Sequence, residues 1–183
     1  MKAPVGNLRC FRILCHTFGG IAMQNNIYEV SSSPIPAEQR AKAGNMPDWF
    51  FERICDYAEN ATSEERESAI QTLSRILGSH CTREGNRLTV SPEVKQFFFQ
   101  KAFLCFCAAA KALAQTDYTV FAGIQPAPAF QAALSGLNES YEDIRDIYIY
   151  TRDDDALIPL DRWLRSADFS RPFYIGGTIK YHC

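Results

Sequence analysis

Apolar and polar residues follow two different periods along the chain, and three stretches have the two-residue period of β-strands. Residues 26–31 alternate between two faces, and residues 145–151 and 172–181 are rich in Ile, Tyr and Phe. Gly176 and Gly177 lie in the middle of the last stretch, where glycine is typical of a bulge or of a close approach by another backbone. We therefore expect three strands, all near the ends of the chain.

Five stretches have the longer apolar period of helices: residues 47–60, 62–78, 91–115, 128–134 and 158–167. In the first, Phe50, Phe51 and Tyr57 are expected to be buried. Gly136 is expected to end the fourth. The third is the longest, and its polar residues fall on one narrow stripe: Glu93, Gln96, Gln100, Lys111 and Gln115. Because apolar residues cover the rest of its circumference, we expect neighbouring elements to wrap it.

Two shorter patterns complete the secondary structure. Thr62 and Glu65 form a capping-box pattern at the start of the second helix. Residues 80–90 predict a loop or a hairpin. Together the elements predict an α+β fold, in which a helical block with one long central helix packs on a small antiparallel sheet made from the chain ends. No linker divides residues 23–183, so we expect a single domain there.

The composition agrees with an ordinary globular domain, since 46% of the residues are hydrophobic and 22% are charged. No apolar run is expected to cross a bilayer, because Lys101 and Lys111 interrupt the longest one. The seven cysteines are odd in number and irregularly spaced. This pattern favours free thiols in a reducing compartment over a secreted disulfide framework.

Residues 1–22 differ from the rest because they contain three basic residues and no acid. Their apolar stretch is too broken for a typical secretory signal. The glycine pair at 19–20 can be encoded by a ribosome-binding sequence just upstream of the ATG of Met23. We therefore hypothesise that Met23 is the natural start and that residues 1–22 are a translated leader or a disordered extension. Without them, 16 bases remain against 21 acids, a net charge of −5.

No catalytic motif is present in the sequence. His80-Cys81 and His182-Cys183 are neighbours along the chain, whereas catalytic Cys–His pairs are normally assembled across space. The aspartate run 153–155 lacks the spacing, the glycine and the terminal glutamate of a calcium-binding loop. We therefore predict no catalytic residue, no cofactor and no metal. A small hydrolase or nuclease built around His80 and Cys81 stays an alternative.

Acidic residues are unevenly distributed. Four of them recur at i, i+4, i+8 and i+11 of the predicted helix 47–60, and so share one face: Asp48, Glu52, Asp56 and Glu59. Residues 48–67 contain seven acids against two bases, and residues 139–161 contain eight against two. Such segregation creates a negative field that can steer a basic partner or imitate a phosphate backbone. Solvated faces that keep the protein soluble are the alternative interpretation.

The predicted partner-binding residues combine these acids with two tyrosines that lie near the second acidic segment. Aromatic rings beside carboxylates are common contact residues. The two tyrosines could equally form the core face of the sheet. The full set is Asp48, Glu52, Asp56, Glu59, Asp153, Asp154, Asp155, Tyr148 and Tyr150.

Three segments resemble small proteins carried on mobile elements and phages of gut bacteria: residues 27–36 (IYEVSSSPIP), 140–143 (SYED) and 172–177 (PFYIGG). In particular, the chain is similar over most of residues 23–183 to anti-CRISPR proteins that inhibit type II-A Cas9. These proteins share no common fold or signature. No functional residue is therefore transferred position by position.

The resemblance implies a non-enzymatic inhibitor in the cytoplasm of the bacterial host, which binds Cas9 or its guide RNA complex and prevents cleavage of target DNA. Cas9 has positively charged channels and arginines that read the PAM, and a compact acidic protein can occupy such places. The alternative is an antirestriction-type or other acidic regulatory binding protein of a mobile element. Both interpretations use the same acidic surfaces.

Overall fold

The computed structural model describes residues 25–125, 127–141 and 147–182. They belong to two compact units. The sheet unit contains residues 25–98 and 147–182, and the helical unit contains residues 99–125 and 127–141. The boundary near residue 99 falls inside one long helix, where no change of composition marks it.

Seven strands form the sheet of the sheet unit: β1 (Asn25–Ser31), β2 (Tyr57–Asn60), β3 (Cys81–Glu84), β4 (Arg87–Val90), β5 (Ile147–Thr151), β6 (Ala156–Pro159) and β7 (Phe173–His182). Their order is β3-β4-β7-β1-β5-β6, and β2 also pairs with β7. β1 pairs along one side of β7, while β4 and β2 pair with different parts of its other side. The ten-residue β7 is thus the central strand.

The described residues also form six α-helices: α1 (Asp48–Arg53), α2 (Ser63–Leu77), α3 (Val94–Ala114), α4 (Tyr118–Phe121), α5 (Pro128–Tyr141) and α6 (Leu160–Ser166). α2 has the predicted capping box. The Glu65 N–H donates to the Thr62 hydroxyl at 3.3 Å, and the Thr62 N–H donates to the Glu65 carboxylate at 2.8 Å. Gly78, with a φ of 66°, ends this helix.

Helices cover both faces of the sheet. On one face, the Phe50 ring of α1 packs edge-on against Tyr148 at 5.4 Å and against Tyr181 at 5.2 Å between ring centroids. On the other face, the Tyr28 hydroxyl donates to the carbonyl of Ala69 in α2 at 3.0 Å. Burial raises the pKa of the Tyr28 hydroxyl. β1 therefore contributes to both layers of the core.

A buried carboxylate joins β1 to β7. Glu29 is 1% exposed, and it accepts hydrogen bonds from the N–H groups of Gly177 at 2.6 Å and Ala41 at 2.7 Å. It also forms an ion pair with Arg152 at 2.9 Å. A Cβ at Gly176 would lie 2.1 Å from Glu29 Oε2, and one at Gly177 would lie 2.2 Å from the carbonyl oxygen of Ala41. The predicted close approach at the two glycines is confirmed.

Most of the predicted elements are confirmed, with their ends shifted by a few residues. The three predicted strands are β1, β5 and β7, although residues 145 and 146 lie outside the described residues. The segment 80–90 forms the β3–β4 hairpin, and the predicted helix 158–167 is α6, which buries Trp163 and Leu164. A mixed α+β fold follows directly from these elements.

The sheet is larger than predicted and is not purely antiparallel. β2, β3 and β4 come from the middle of the chain, and β1 pairs with β5 in parallel. The fourth predicted helix also continues past Gly136 to Tyr141. A Cβ at Gly136 would lie 3.9 Å from the Cβ of Ala109 in α3. The glycine thus lies at a close helix–helix contact and does not end the helix.

α3 is confirmed as the longest helix, but the expectation that neighbouring elements wrap it is not. Its predicted polar stripe is exposed, yet Phe103 and Leu104 are exposed as well, each by 63%. The fully buried residues of this helix are Val94, Ala102 and Ala109. By length and composition alone α3 is apolar enough to cross a membrane, with a mean hydropathy of 1.4 over an 18-residue window, so Lys101 and Lys111 do not by themselves exclude a span.

Replacing Gly177 by alanine is expected to lower the free energy of unfolding by about 1–3 kcal/mol, the usual cost of overpacking. The new methyl group would meet the Ala41 carbonyl, which belongs to the backbone and cannot rotate away. The Gly44→Ala variant is the control, because nothing lies within 4 Å of its added Cβ. Urea unfolding midpoints measure both effects, and equal midpoints for the two variants would contradict the close approach.

Candidate protein-binding surface

The first acidic segment does not form the single helix that the sequence predicted. α1 ends at Arg53, and the next two N–H groups both donate to the carbonyl of Phe50 at 3.0 Å. The Asp56 N–H then donates to the carbonyl of His182 at 2.9 Å, after which the chain continues as β2 beside β7. The predicted helix 47–60, with four acids on one face, is therefore wrong.

Glu59 consequently lies on a strand and contacts a base within the fold. Lys180 is 7% exposed, and its ammonium contacts the carboxylates of Glu59 and Glu65 at 2.6 Å each. The hydrogen bonds from Lys180 lower the pKa of both carboxylates, and they raise the pKa of Lys180 in turn. The negative charge of Glu59 is thus balanced locally, and Glu59 does not share a face with the acids of α1.

The three aspartates at 153–155 form the turn between β5 and β6, and two of them stabilise it. Asp153 accepts a hydrogen bond from the N–H of Ser32 at 2.9 Å, which lowers the pKa of its carboxyl. Asp155 has a φ of 49° and accepts a bond from the Tyr150 hydroxyl at 2.5 Å. Asp154 is exposed. Asp153 and Asp155 therefore have a structural role in the turn, and Asp154 is the one aspartate of the three left exposed without such a bond among the described residues.

The two predicted contact tyrosines have different positions. Tyr148 is 8% exposed and belongs to the core cluster with Phe50 and Tyr181. For Tyr148, the alternative interpretation as a residue on the core face of the sheet is therefore correct. Tyr150 is partly buried, and its hydrogen bond to Asp155 raises the pKa of its hydroxyl to about 12. Tyr148 therefore presents no exposed ring to a partner.

α1 presents a different combination of acids and aromatic rings. Successive residues of a helix are about 100° apart around its axis, so Asp48 and Glu52 lie opposite the buried Phe50. Trp49 and Phe51 flank these two acids, and each is 38% exposed. Six exposed acidic and aromatic residues of α1, the turn that follows and the start of β2 are called the α1 surface: Asp48, Trp49, Phe51, Glu52, Asp56 and Tyr57.

The acids of the α1 surface keep their charge directed outward. Within residues 25–125, 127–141 and 147–182, Asp48, Glu52 and Asp56 form no salt bridge. Arg53, exposed in the last turn of α1, is the one base among residues 48–57. Exposed aromatic rings next to carboxylates provide apolar contact area together with a negative potential. This arrangement suits the binding of a basic protein surface.

Sequence reasoning found the acids of this surface and missed its aromatic rings. It placed Phe51 and Tyr57 on a buried helix face, whereas Tyr57 is 56% exposed on β2. The signal was present in the run Trp49-Phe50-Phe51. Three consecutive residues span about 200° of a helix, so at least one of the three rings has to lie outside a core that covers one face.

The residues of the alternative hydrolase are engaged with two different serines. His80 Nδ1 lies 3.3 Å from the Ser91 hydroxyl, and the Cys81 thiol lies 3.8 Å from the Ser74 hydroxyl. Burial raises the pKa of the Cys81 thiol, which opposes formation of the nucleophilic thiolate. In the part of the chain that the structure describes, no three His, Cys, Asp or Glu side chains are grouped as a metal ion requires.

The contacts of Lys180 predict a specific pH dependence. Because the pKa values of Glu59 and Glu65 are lowered from 4.5, their stabilising contribution is present above pH 4.5 and is lost as the pH falls through the folded values. A Glu59→Gln, Glu65→Gln variant should be less stable than the wild type at pH 7, and this difference should shrink as the pH falls below 4.5.

Urea unfolding at a series of pH values measures this difference. The control is Glu38→Gln with Glu139→Gln, since both acids are exposed and form no hydrogen bond or ion pair with a described residue. A constant difference between wild type and the first variant across this pH range would contradict the proposed role of Lys180.

Comparisons with known proteins give no relative from which a function can be transferred. No protein-family model, no curated protein and no solved structure matches the chain. A functional interpretation therefore has to be argued from the residues themselves.

Proposed function

We propose that this protein is an anti-CRISPR inhibitor, which binds a type II-A Cas9 nuclease, with or without its guide RNA, and prevents cleavage of target DNA. It acts without catalysis and without a cofactor, in the cytoplasm of the bacterial host of a phage or mobile element. Binding occurs through the α1 surface, and the exposed Asp154 adds a further negative charge in the turn between β5 and β6.

The observation that carries the proposal is the composition of the α1 surface. Three carboxylates without a salt bridge to a described residue lie beside Trp49, Phe51 and Tyr57, which are 38%, 38% and 56% exposed. Tryptophan and tyrosine are over-represented among the residues that dominate binding energy at protein interfaces. Carboxylates around them select a basic partner and increase the rate of encounter.

Cas9 offers partner chemistry that fits this surface. Its heteroduplex channel and its channel for the displaced strand are positively charged, and arginines read the PAM in the major groove. Carboxylates at these places would compete with DNA phosphates, while the aromatic rings would pack on the stems of long basic side chains. The sheet behind α1 is held by buried polar contacts, so the surface is presented on a rigid support.

The first test titrates the full chain into guide-loaded type II-A Cas9 and follows target binding and target cleavage in parallel. We expect cleavage to be inhibited, and loss of target binding would place the block at the PAM or the DNA channel. Reversing two charges, as Asp48→Lys with Glu52→Lys, should weaken inhibition at least tenfold, because like charges would then face the basic partner.

The matched control reverses two exposed acids outside the α1 surface, as Glu38→Lys with Glu139→Lys, and so changes the net charge equally. It should inhibit like the wild type. Thermal unfolding of both variants checks that they fold. Equal inhibition by both variants would contradict the role of the α1 surface, and no inhibition of several type II-A Cas9 proteins by the wild type would overturn the proposal.

A second variant tests the aromatic part of the surface. Trp49→Ala with Tyr57→Ala removes exposed rings and should weaken binding to Cas9 at least tenfold, the effect expected when residues that dominate an interface are truncated. Phe103→Ala removes a ring that is 63% exposed in the helical unit and should leave Cas9 binding unchanged. Biolayer interferometry against immobilised guide-loaded Cas9 compares the two, and equal affinities would argue against an aromatic contact.

A further inference from the structure

The helical unit buries small side chains and exposes large apolar ones. Its buried residues are Ala102, Ala109, Ala133 and Ser140. α3 and α5 approach each other where Ala109 faces Gly136, and small residues permit such a close approach of two helices. The large apolar side chains therefore have little room between these helices, and several of them are directed toward solvent.

Four exposed apolar residues lie near the end of α3 and around α4. Tyr118 is 77% exposed, Phe121 73%, Ile124 67% and Leu134 39%. Since a large side chain has about 200 Å² of surface, these four expose about 500 Å² of apolar area. That area equals the apolar share of one side of a standard protein interface, about 60% of about 800 Å². Its size is that of the largest apolar patch on a typical protein, about 300–600 Å², and such patches are often functional.

The patch also combines an open groove with projecting aromatic rings. An open groove of about 430 Å³ is lined by Leu113, Thr116, Asp117, Tyr118, Phe121, Phe130 and Leu134. Phe121 packs edge-on against Phe130 at 6.4 Å between centroids, yet remains mostly exposed, as does Tyr118. The same few residues therefore supply a concave apolar surface and two projecting aromatic rings. Because a two-fold contact uses the same patch on both subunits, a patch with both features offers rings to one groove and a groove to the other rings.

We propose that the groove formed by α3, α4 and α5 is the interface with a second copy of this chain. Each copy inserts Tyr118 and Phe121 into the groove of the other, and the two helical units associate as an isologous dimer. The exposed Asp117 in the groove lining opposes an anionic lipid surface as the occupant, because lipid headgroups of like charge would repel its carboxylate. The proposal does not depend on the target of the α1 surface.

Sedimentation analysis of the full chain from about 1 to 100 µM tests the dimer, in the concentration range of moderate protein affinities. We expect a concentration-dependent dimer that Phe121→Glu converts to a monomer, since a buried carboxylate in the apolar groove would be costly. Phe103→Glu is the matched control, because Phe103 is 63% exposed on α3 but does not line the groove. This control should remain dimeric.

A measurement without substitutions covers the case in which Phe121→Glu fails to fold. Amide hydrogen exchange of residues 113–125 in the full chain should slow at high protein concentration, whereas exchange of β7 should not change. A monomer at every concentration would overturn the proposal, as would a dimer that survives Phe121→Glu in a folded protein.

A chain beginning at Met23 tests whether residues 1–22 occupy the groove in place of a second copy. If this shorter chain dimerises while the full chain does not, residues 1–22 occupy the groove and the proposal is overturned. Binding of the monomer to anionic vesicles would overturn it in favour of a lipid surface. Dimerisation of both chains through Phe121 would support it.

Discussion

The carboxylate of Glu29 is the contact on which the sheet unit depends. It is buried in β1, and its partners come from three other parts of the chain: the Gly177 N–H in β7, the Ala41 N–H in the loop after β1, and the guanidinium of Arg152 after β5. A buried charge without partners is strongly destabilising, so these contacts have to be made together. The same contacts direct the loop that leads into α1, and thereby determine where the α1 surface lies.

β7 connects the Glu29 carboxylate and its partners to the rest of the sheet unit. Arg66 of α2 donates hydrogen bonds to the carbonyls of Ile175 and Gly176 at 2.7 Å each, so the helix is attached to the strand at its glycine pair. Further along β7, Lys180 contacts two carboxylates, and the His182 carbonyl accepts the bond that ends the α1 segment. A central strand with several polar contacts provides a rigid support for the exposed residues around it.

Sequence reasoning predicted only part of the proposed site. The acids Asp48 and Glu52 were identified from their spacing, and that spacing holds because both lie within one short helix. Asp56 and Glu59 were assigned to the same face, but the hydrogen bonds to β7 form a strand there instead. The spacing of the acids stays helical in the sequence even where the helix itself has ended. The partner that forms the strand instead is β7, about 120 residues further along the chain, so the local sequence gives no sign of it.

The sequence by itself determined the local interactions of this protein. The capping box of α2, the hairpin of β3 and β4, and the close approach at Gly176 each depend on residues near one another or on the size of a single side chain. Tertiary structure alone decided the parallel pairing of β1 with β5, the strand β2 and the exposure of α3. These features depend on which distant segments compete for the same hydrogen-bonding edge or apolar face, and local periodicity carries no information about that competition.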